Sequence, residues 1–351
     1  MNASHTPTAC PNADSGSSDQ ITLAHGEGGR LTRQLIQERI LPVVGNDVLA
    51  TLGDASVLPQ VDGSLAFTTD SYVVSPLVFP GGDIGSLAVY GTVNDLAVAG
   101  ARPLWISLAL ILEEGFSWRL LQQILESVAE AAARVGVKVA TGDTKVVPRG
   151  AVDGLFVNTT GIGELQSPPP PGPAAIETGD VLLVSGPIGR HGMAIMASRA
   201  GLEFDDPPVS DSAPLVDAVE ALRGAGIPVR ALRDATRGGL AAVLHEWAGA
   251  CGLTLALDEP SLPVTPDVRG ACELLGLEPV HVACEGTMVV AVPADSAASA
   301  LDALRAVPET RNAEQIGEAQ PRSLAPVVIR RALKKILPLD EPLGAPLPRI
   351  C

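Results

Sequence analysis

Apolar and polar positions follow the same two grammars on either side of one stretch that has neither. Before Gln166, the runs LAFTTDSYVV (65–74), PLWISLALIL (103–112), VKVATGDTKVV (137–147) and GLFVNTTGIGEL (154–165) are rich in aliphatic and β-branched residues and predict buried strands. Helices alternate with them. In SWRLLQQILESVAEAAARVG, Leu121, Ile124, Leu125, Val128, Ala132 and Val135 recur at helical spacing behind Ser117, a candidate N-cap, so one face covers a sheet. The break is QSPPPPGPAAIETGD (166–180), where five prolines between Pro168 and Pro173 remove backbone donors and favour extended chain. Beyond it DVLLVSGPIG, PLVDAVEALRGAG, RGGLAAVLHEWAGACG and TMVVAVP repeat the strand and helix patterns. The pattern predicts an α+β protein of two domains: a disordered polar extension over 1–20, an N-terminal domain over 21–165, a Pro-rich linker over 166–177, a C-terminal α+β domain over 178–325, and a segment over 326–351 ending in a mobile tail.

Length and charge narrow the function. A chain of 351 residues, 46% hydrophobic, buries sizeable cores. A formal charge of −16 argues against nucleic-acid or anionic-membrane partners. The start lacks the basic and apolar regions of a signal peptide, and the most apolar stretch, Trp105 to Leu112, falls short of the roughly 20 residues a membrane helix needs. Cys10, Cys251, Cys272, Cys284 and Cys351 form no CxxC pair, which points to reduced thiols and a cytoplasmic protein.

The candidate chemistry lies in acidic residues at the ends of apolar runs: Asp54 in TLGDAS, Asp70 in FTTDS, Asn94 and Asp95 in GTVNDLAVAG, and Asp143 in ATGDTK. Each alone reads first as a cap or turn residue. If Asp54, Asp70, Asp95 and Asp143 converge, their charge calls for a hard cation such as magnesium, which shares its shell with substrate phosphates and so implies a nucleoside triphosphate. HGEGGR supplies Gly26, Gly28 and Gly29, either an anion nest or a flexible lead into the helix LTRQLIQERI; it matches neither GxxxxGK[ST] nor GxGxxG. Lys145, two residues after Asp143, shares its strand face and is placed to offset phosphate charge. Asp234, Thr236 and Gly238-Gly239 precede a helix whose N-terminus attracts anions.

TTDSYVVSPLVFPGGDIGSLAVYGTVNDLAVAGARP, TGDTKVV, SGPIGRHGMAIMASR, DATRGGLAAVLHE, CEGTM and the terminal PRIC together resemble the HypE family of hydrogenase maturation factors, the carbamoyl dehydratases. The likeness runs from about His25 to Cys351 and extends to the superfamily of aminoimidazole ribonucleotide synthetase and selenophosphate synthetase. GDAS at Asp54 departs from it, since a further acidic or small residue is expected there. The resemblance implies an N-terminal sheet forming half of a dimer barrel in a homodimer, a C-terminal α+β domain, and an ATP groove with magnesium held by the four aspartates. It further implies a carbamoyltransferase that loads Cys351, ATP-dependent removal of water to leave a thiocyanate, and iron-holding maturation proteins that accept the cyano group. Glu285 in CEGTM is the candidate base, ahead of His281 and His191, with Cys351 and Lys145 as the other catalytic candidates. From Pro338 to Cys351 the tail, extended, reaches about 45 Å, and its prolines lower the cost of ordering it. Two rivals stand beside this reading. A selenophosphate synthetase-like enzyme would carry a reactive cysteine followed by glycine and lysine, a setting Cys10 lacks; a nonenzymatic carrier would release no phosphate.

Overall fold

The computed structural model describes residues 20–201, 205–331, 335–342 and 349–351. The expected N-terminal extension, apart from Gln20, and the middle of the tail lie outside the described residues.

The four N-terminal strands form where the apolar runs place them. They are β1 (Leu65–Tyr72), β2 (Ala101–Glu113), β3 (Lys138–Val147) and β4 (Leu155–Leu165), in the sheet order β1-β4-β2-β3. Antiparallel pairs join β1 to β4 and β4 to β2, while β2 and β3 run parallel. A parallel pair needs a crossover, which helix α2 (Trp118–Val135) supplies. Ser117 occupies its N-cap position in extended conformation without a side-chain capping bond, and Gly136 ends it in the left-handed region.

Helix α1 (Ile84–Val98) is apolar almost all round, the pattern of a helix buried on every side. Asp83 caps it, accepting from the Gly85 and Ser86 amides at 2.9 and 3.0 Å while Ser86 Oγ accepts from the Asp83 amide. α1 lies between its own sheet, α2, and two C-terminal elements, α4 (Val216–Gly224) and strand β6 (Ala231–Asp234).

The C-terminal sheet comprises β5 (Val181–Val184), β6, β7 (Thr254–Asp258), β8 (Met288–Val292), β9 (Glu314–Gln320), β10 (Val327–Arg331) and β11 (Lys335–Pro338), in the order β11-β10-β7-β9-β5-β8-β6. Period-two alternation loads both faces. Leu182, Val184, Val289 and Ala291 pack under helix α5 (Gly239–Cys251) through Leu240, Leu244 and Trp247. Val181, Leu183, Val290 and Val292 meet α4 and helix α7 (Ala297–Arg305) through Leu222, Ala300 and Leu304. Two further helices of the C-terminal domain, α3 (Arg190–Ala200) and α6 (Pro266–Leu275), turn toward the N-terminal core: Met193, Ile195, Val268 and Ala271 share one cluster with Phe79 and the penultimate Ile350. Among the described residues no helix is long and apolar enough to cross a membrane.

Asn94 fastens the domains together. Its Oδ1 accepts from the Leu215 amide at 2.7 Å, and its Nδ2 donates to Ala213 O at 3.0 Å and Glu285 O at 3.4 Å. The side chain is 1% exposed, so Asn94→Ala strands buried backbone groups and is expected to cost about 1–3 kcal/mol. Urea unfolding checks this; an unchanged midpoint would show that the bonds are dispensable.

Candidate active site

The last residue of the chain turns inward. Cys351 lines a cavity of about 40 Å3 at the domain boundary with Asp70, Ser71 and Tyr72 of β1, Gly91 and Asp95 of α1, Asp234 at the end of β6, Thr236, Arg237 and Glu285. Cys351 and the Glu285 carboxyl lie side by side in this cavity, and Glu285 Oε1 has no partner although the residue is 3% exposed. An orphaned carboxyl oxygen beside the sulfur is a site for an N–H donor on whatever the sulfur carries.

Contacts to the backbone hold the terminus there. The buried His191 Nε2–H donates to Ile350 O at 2.6 Å, so its Nδ1 accepts from Ser210 Oγ at 2.8 Å; burial pushes this imidazole down, toward the neutral form. His191 is thereby a tail-holding residue in this structure. Arg199 donates to the carbonyls of Ser75 and Arg349. Arg349 pairs with Asp153 at 2.8 Å and donates to Val73 O at 3.2 Å. Upstream, His245 Nε2 donates to Leu339 O at 2.9 Å and His281 Nε2 to Asp340 O at 3.1 Å.

Crowded carboxyls in a small, half-dry space resist ionisation. Burial, then repulsion from Asp95, raises Asp70 to about 6; the same causes raise Asp234 to about 7. Glu285 is pushed well above the usual carboxyl range by burial and then by Asp234, Asp211 and Asp70. Burial and then Glu285 push the Cys351 thiol up, opposed by the Arg237 guanidinium. Burial thus favours the protonated form of both Glu285 and the free thiol.

Asp70, Asp95, Asp234, Glu285 and Cys351 meet in this cavity, whereas Asp54, Asp143 and Lys145 do not. Asp143 pairs with Ala109, Ala109 with Asn158 and Asn158 with Ser71, so Asp143 lies three strand spacings, about 14 Å, from the Asp70 strand. β1 and β3 are opposite edges of one sheet, which prevents the four aspartates from converging within one chain. Among the described residues no group of three or more His, Cys, Asp or Glu side chains is placed to hold a metal. Asp143 instead edges a second cavity, of about 230 Å3, whose floor is apolar (Ile36, Ile40, Leu108, Val139) and whose rim carries Thr32, Ser56 and Thr141. Asp54 is exposed next to Gly53 of that rim, and Lys145 is exposed on β3. Gly26 is required for packing: a Cβ there would lie 2.3 Å from Val146 N. Gly28, at φ +80°, donates its amide to Thr32 Oγ1 at 2.9 Å, and Gly29 precedes the helical turn. Asn94, expected to contact nucleotide, has its amide committed to the domain boundary instead.

Sequence reasoning passed over Arg237, although it sits inside DATRGG, and gave no role to Tyr72, whose hydroxyl lies 3.5 Å from Asp70 Oδ2 and 3.3 Å from Thr92 Oγ1. An arginine in a polar loop carries no periodic signal that separates it from a solvated one.

Residues 52–165 match the N-terminal domain of the AIR synthase related proteins and residues 177–329 match their C-terminal domain. A carbamoyl dehydratase HypE from Rhodobacter capsulatus is 46% identical over 340 residues, spanning 95% of this chain and 98% of the relative. The crystal structure of a HypE protein in complex with ATP superposes with a TM-score of 0.89 at 43% identity, covering 94% of this chain and 99% of that one. HypE in a HypE-HypF complex superposes at 0.77 with 43% identity, covering 88% and 99%. The chain belongs to the HypE family of carbamoyl dehydratases, built on the two-domain AIR synthase fold.

Proposed function

We infer that this protein removes the elements of water from a carbamoyl group carried on Cys351, at the expense of ATP, leaving a thiocyanate whose cyano group serves the iron of a nickel-iron hydrogenase. The observation that carries this reading is the terminal sulfur seated against Glu285 inside a cavity lined by carboxyls. On an S-carbamoyl group the carboxamide oxygen must leave and both amide hydrogens must depart as protons. ATP with magnesium, when bound, supplies the phosphoryl group that makes this oxygen a leaving group. The apolar floor and polar rim of the 230 Å3 cavity suit a nucleotide base and its sugar, with Thr32, Thr141 and Asp143 at the rim and the Gly28-Gly29 turn beside it. That a HypE protein 43% identical to this chain forms a complex with ATP supports a nucleotide as the ligand.

The chain's own residues then do three things. Glu285, with Oε1 unpartnered, orients the carboxamide N–H groups and takes one proton from nitrogen as the oxygen is phosphorylated; the second proton leaves with the departing phosphate. Arg237, the cavity's cation, offsets charge leaving with the oxygen. The histidine and arginine contacts to the tail backbone hold the sulfur in register, converting an encounter into an intramolecular reaction.

Glu285 must ionise to act as a base, and positive charge near Asp70 and Asp95 lowers its pKa. The open edges of the N-terminal sheet offer a route for that charge. β1 exposes Leu65 and Phe67 at 58% and 70%, and an unpaired apolar edge calls for a partner. We place a second copy there, closing two sheets into a barrel and bringing Asp143 and Lys145 of one protomer to the Asp70 strand of the other, where Asp70, Asp95 and Asp143 would hold magnesium, which would offset phosphate charge. A protein that loads the sulfur must also dock, for which the HypE-HypF complex offers a parallel; proteins that hold the iron would receive the product.

Incubation with carbamoyl donor and ATP, followed by mass spectrometry of the C-terminal peptide, tests the function. The wild-type peptide is expected to gain a carbamoyl group and then lose the mass of one water. Cys351→Ala should bind ATP yet never be loaded, and Glu285→Gln should be loaded but dehydrate about 10²–10⁴-fold more slowly. A carbamoyl group that persists on the wild-type peptide with ATP present would sink the reading. Mixing inactive Lys145→Ala with inactive Cys351→Ala should restore part of the activity through mixed dimers; no recovery would place Lys145 outside its partner's site. Without ligands, a carboxyl raised from 3.8 to about 7 costs the fold stability in full above pH 7 and nothing below about pH 3, where it is protonated both folded and unfolded. Asp234→Asn is therefore expected to raise the urea midpoint most at pH 8, with the gain shrinking below pH 7 and gone at about pH 3. A gain constant across that range would refute the burial argument.

A further inference from the structure

One carboxylate outside the cavity ties its two working walls together. Asp211 Oδ1 accepts from the amide of His191, the residue that holds Ile350, at 3.1 Å, and from the amide of Glu285 at 3.2 Å. Its Oδ2 accepts from the Gly286 amide at 3.1 Å and from Thr287 Oγ1 at 2.9 Å. Four donors on two oxygens fix a carboxylate in position and orientation. The backbone agrees: a Cβ on Gly286 would lie 1.9 Å from Asp211 O, so only glycine lets the Glu285 loop approach this closely. The preceding residue completes the link, since Ser210 Oγ reaches His191 Nδ1 and the Ser210 amide donates to Pro80 O of the N-terminal domain at 2.9 Å.

We propose that Asp211 is a positioning residue for the dehydration, holding the loop that carries Glu285 and the helix start that carries His191 in one register, and thereby setting how the Cys351-borne group meets the carboxyl. The proposal rests on the reaction inferred above, but its geometric core does not. Ser210 and Asp211 form a crosspiece with the sulfur-holding imidazole on one side and the Glu285 loop on the other. An amide at 211 keeps one acceptor oxygen but presents an N–H group where the Gly286 amide needs an acceptor, so the Glu285 loop is pushed off its register against the His191 wall while each keeps its own secondary structure.

The test uses the full-length chain with Asp211→Asn, and Thr287→Val as a milder variant that removes one of the four donors. The first readout is the rate at which a small alkylating reagent modifies Cys351, followed on the C-terminal peptide. We expect it to rise about tenfold in Asp211→Asn and by a smaller factor in Thr287→Val. The second is single-turnover dehydration of the loaded tail, expected to fall at least about tenfold with the KM for ATP unchanged, because the nucleotide cavity is remote from Asp211. Alkylation within twofold of wild type in both variants would overturn the proposal, as would a KM for ATP that rises in step with the lost turnover. Should wild-type protein fail to dehydrate its tail, the functional reading would fall while the alkylation rates still decide the role of Asp211.

Discussion

A chain terminus has a covalent neighbour on one side only, so a reactive group placed there is positioned by whatever grips the backbone before it. In this protein the grip comes from side chains that donate to main-chain carbonyls: His245 to Leu339, His281 to Asp340, His191 to Ile350 and Arg199 to Arg349. Because carbonyls are common to all residues, the seat is defined by chain path as well as by side-chain identity; Ile350, buried at 4% exposure in the core shared by both domains, supplies the side-chain part. Without that seat the carboxyls around the cavity would be an expensive cluster with no object.

Those carboxyls impose a second constraint. Asp70, Asp95, Asp234 and Glu285 come from four different elements, each of which pays its way structurally by sheet pairing, helix burial or loop packing. Their proximity depends on α1 being buried on every side, which brings the Asp95 turn against both β1 and β6. The acid cluster is thus a property of the domain boundary, and the amide of Asn94 and the carboxylate of Asp211 are the fastenings that hold this boundary at fixed spacing.

The sequence made the N-terminal strands legible to within a few residues, because β-branched apolar runs and a 3.6-residue helical stripe are strong local signals. Asp70, Asp95, Asp234, Glu285 and Cys351 were legible individually, Asp70 and Asp95 as acids at or within apolar runs, Asp234 as an acid before a helix, and Glu285 and Cys351 through the motifs CEGTM and PRIC. That Asp54, Asp143 and Lys145 stand apart from them was not legible. A strand's order within a sheet depends on partners distant in sequence, and β1 and β3 fall on opposite edges although only β2 separates them along the chain. The roles of His191 and Asp211 were hidden for the same reason, since both act on backbone groups of residues 74 or more positions away.

Arg349 has φ +55°, in the left-handed region that side-chain-bearing residues occupy at a cost of about 1–3 kcal/mol. Its contacts with Asp153, Val73 and Arg199 offset this cost only while the tail is seated. Departure from the cavity therefore relaxes one torsion as it breaks several bonds, so the seated and free forms lie closer in free energy than the number of contacts suggests. In the reaction inferred above, where the tail carries its cargo in and out, the strained torsion works as a counterweight, keeping the inward seat from becoming a trap.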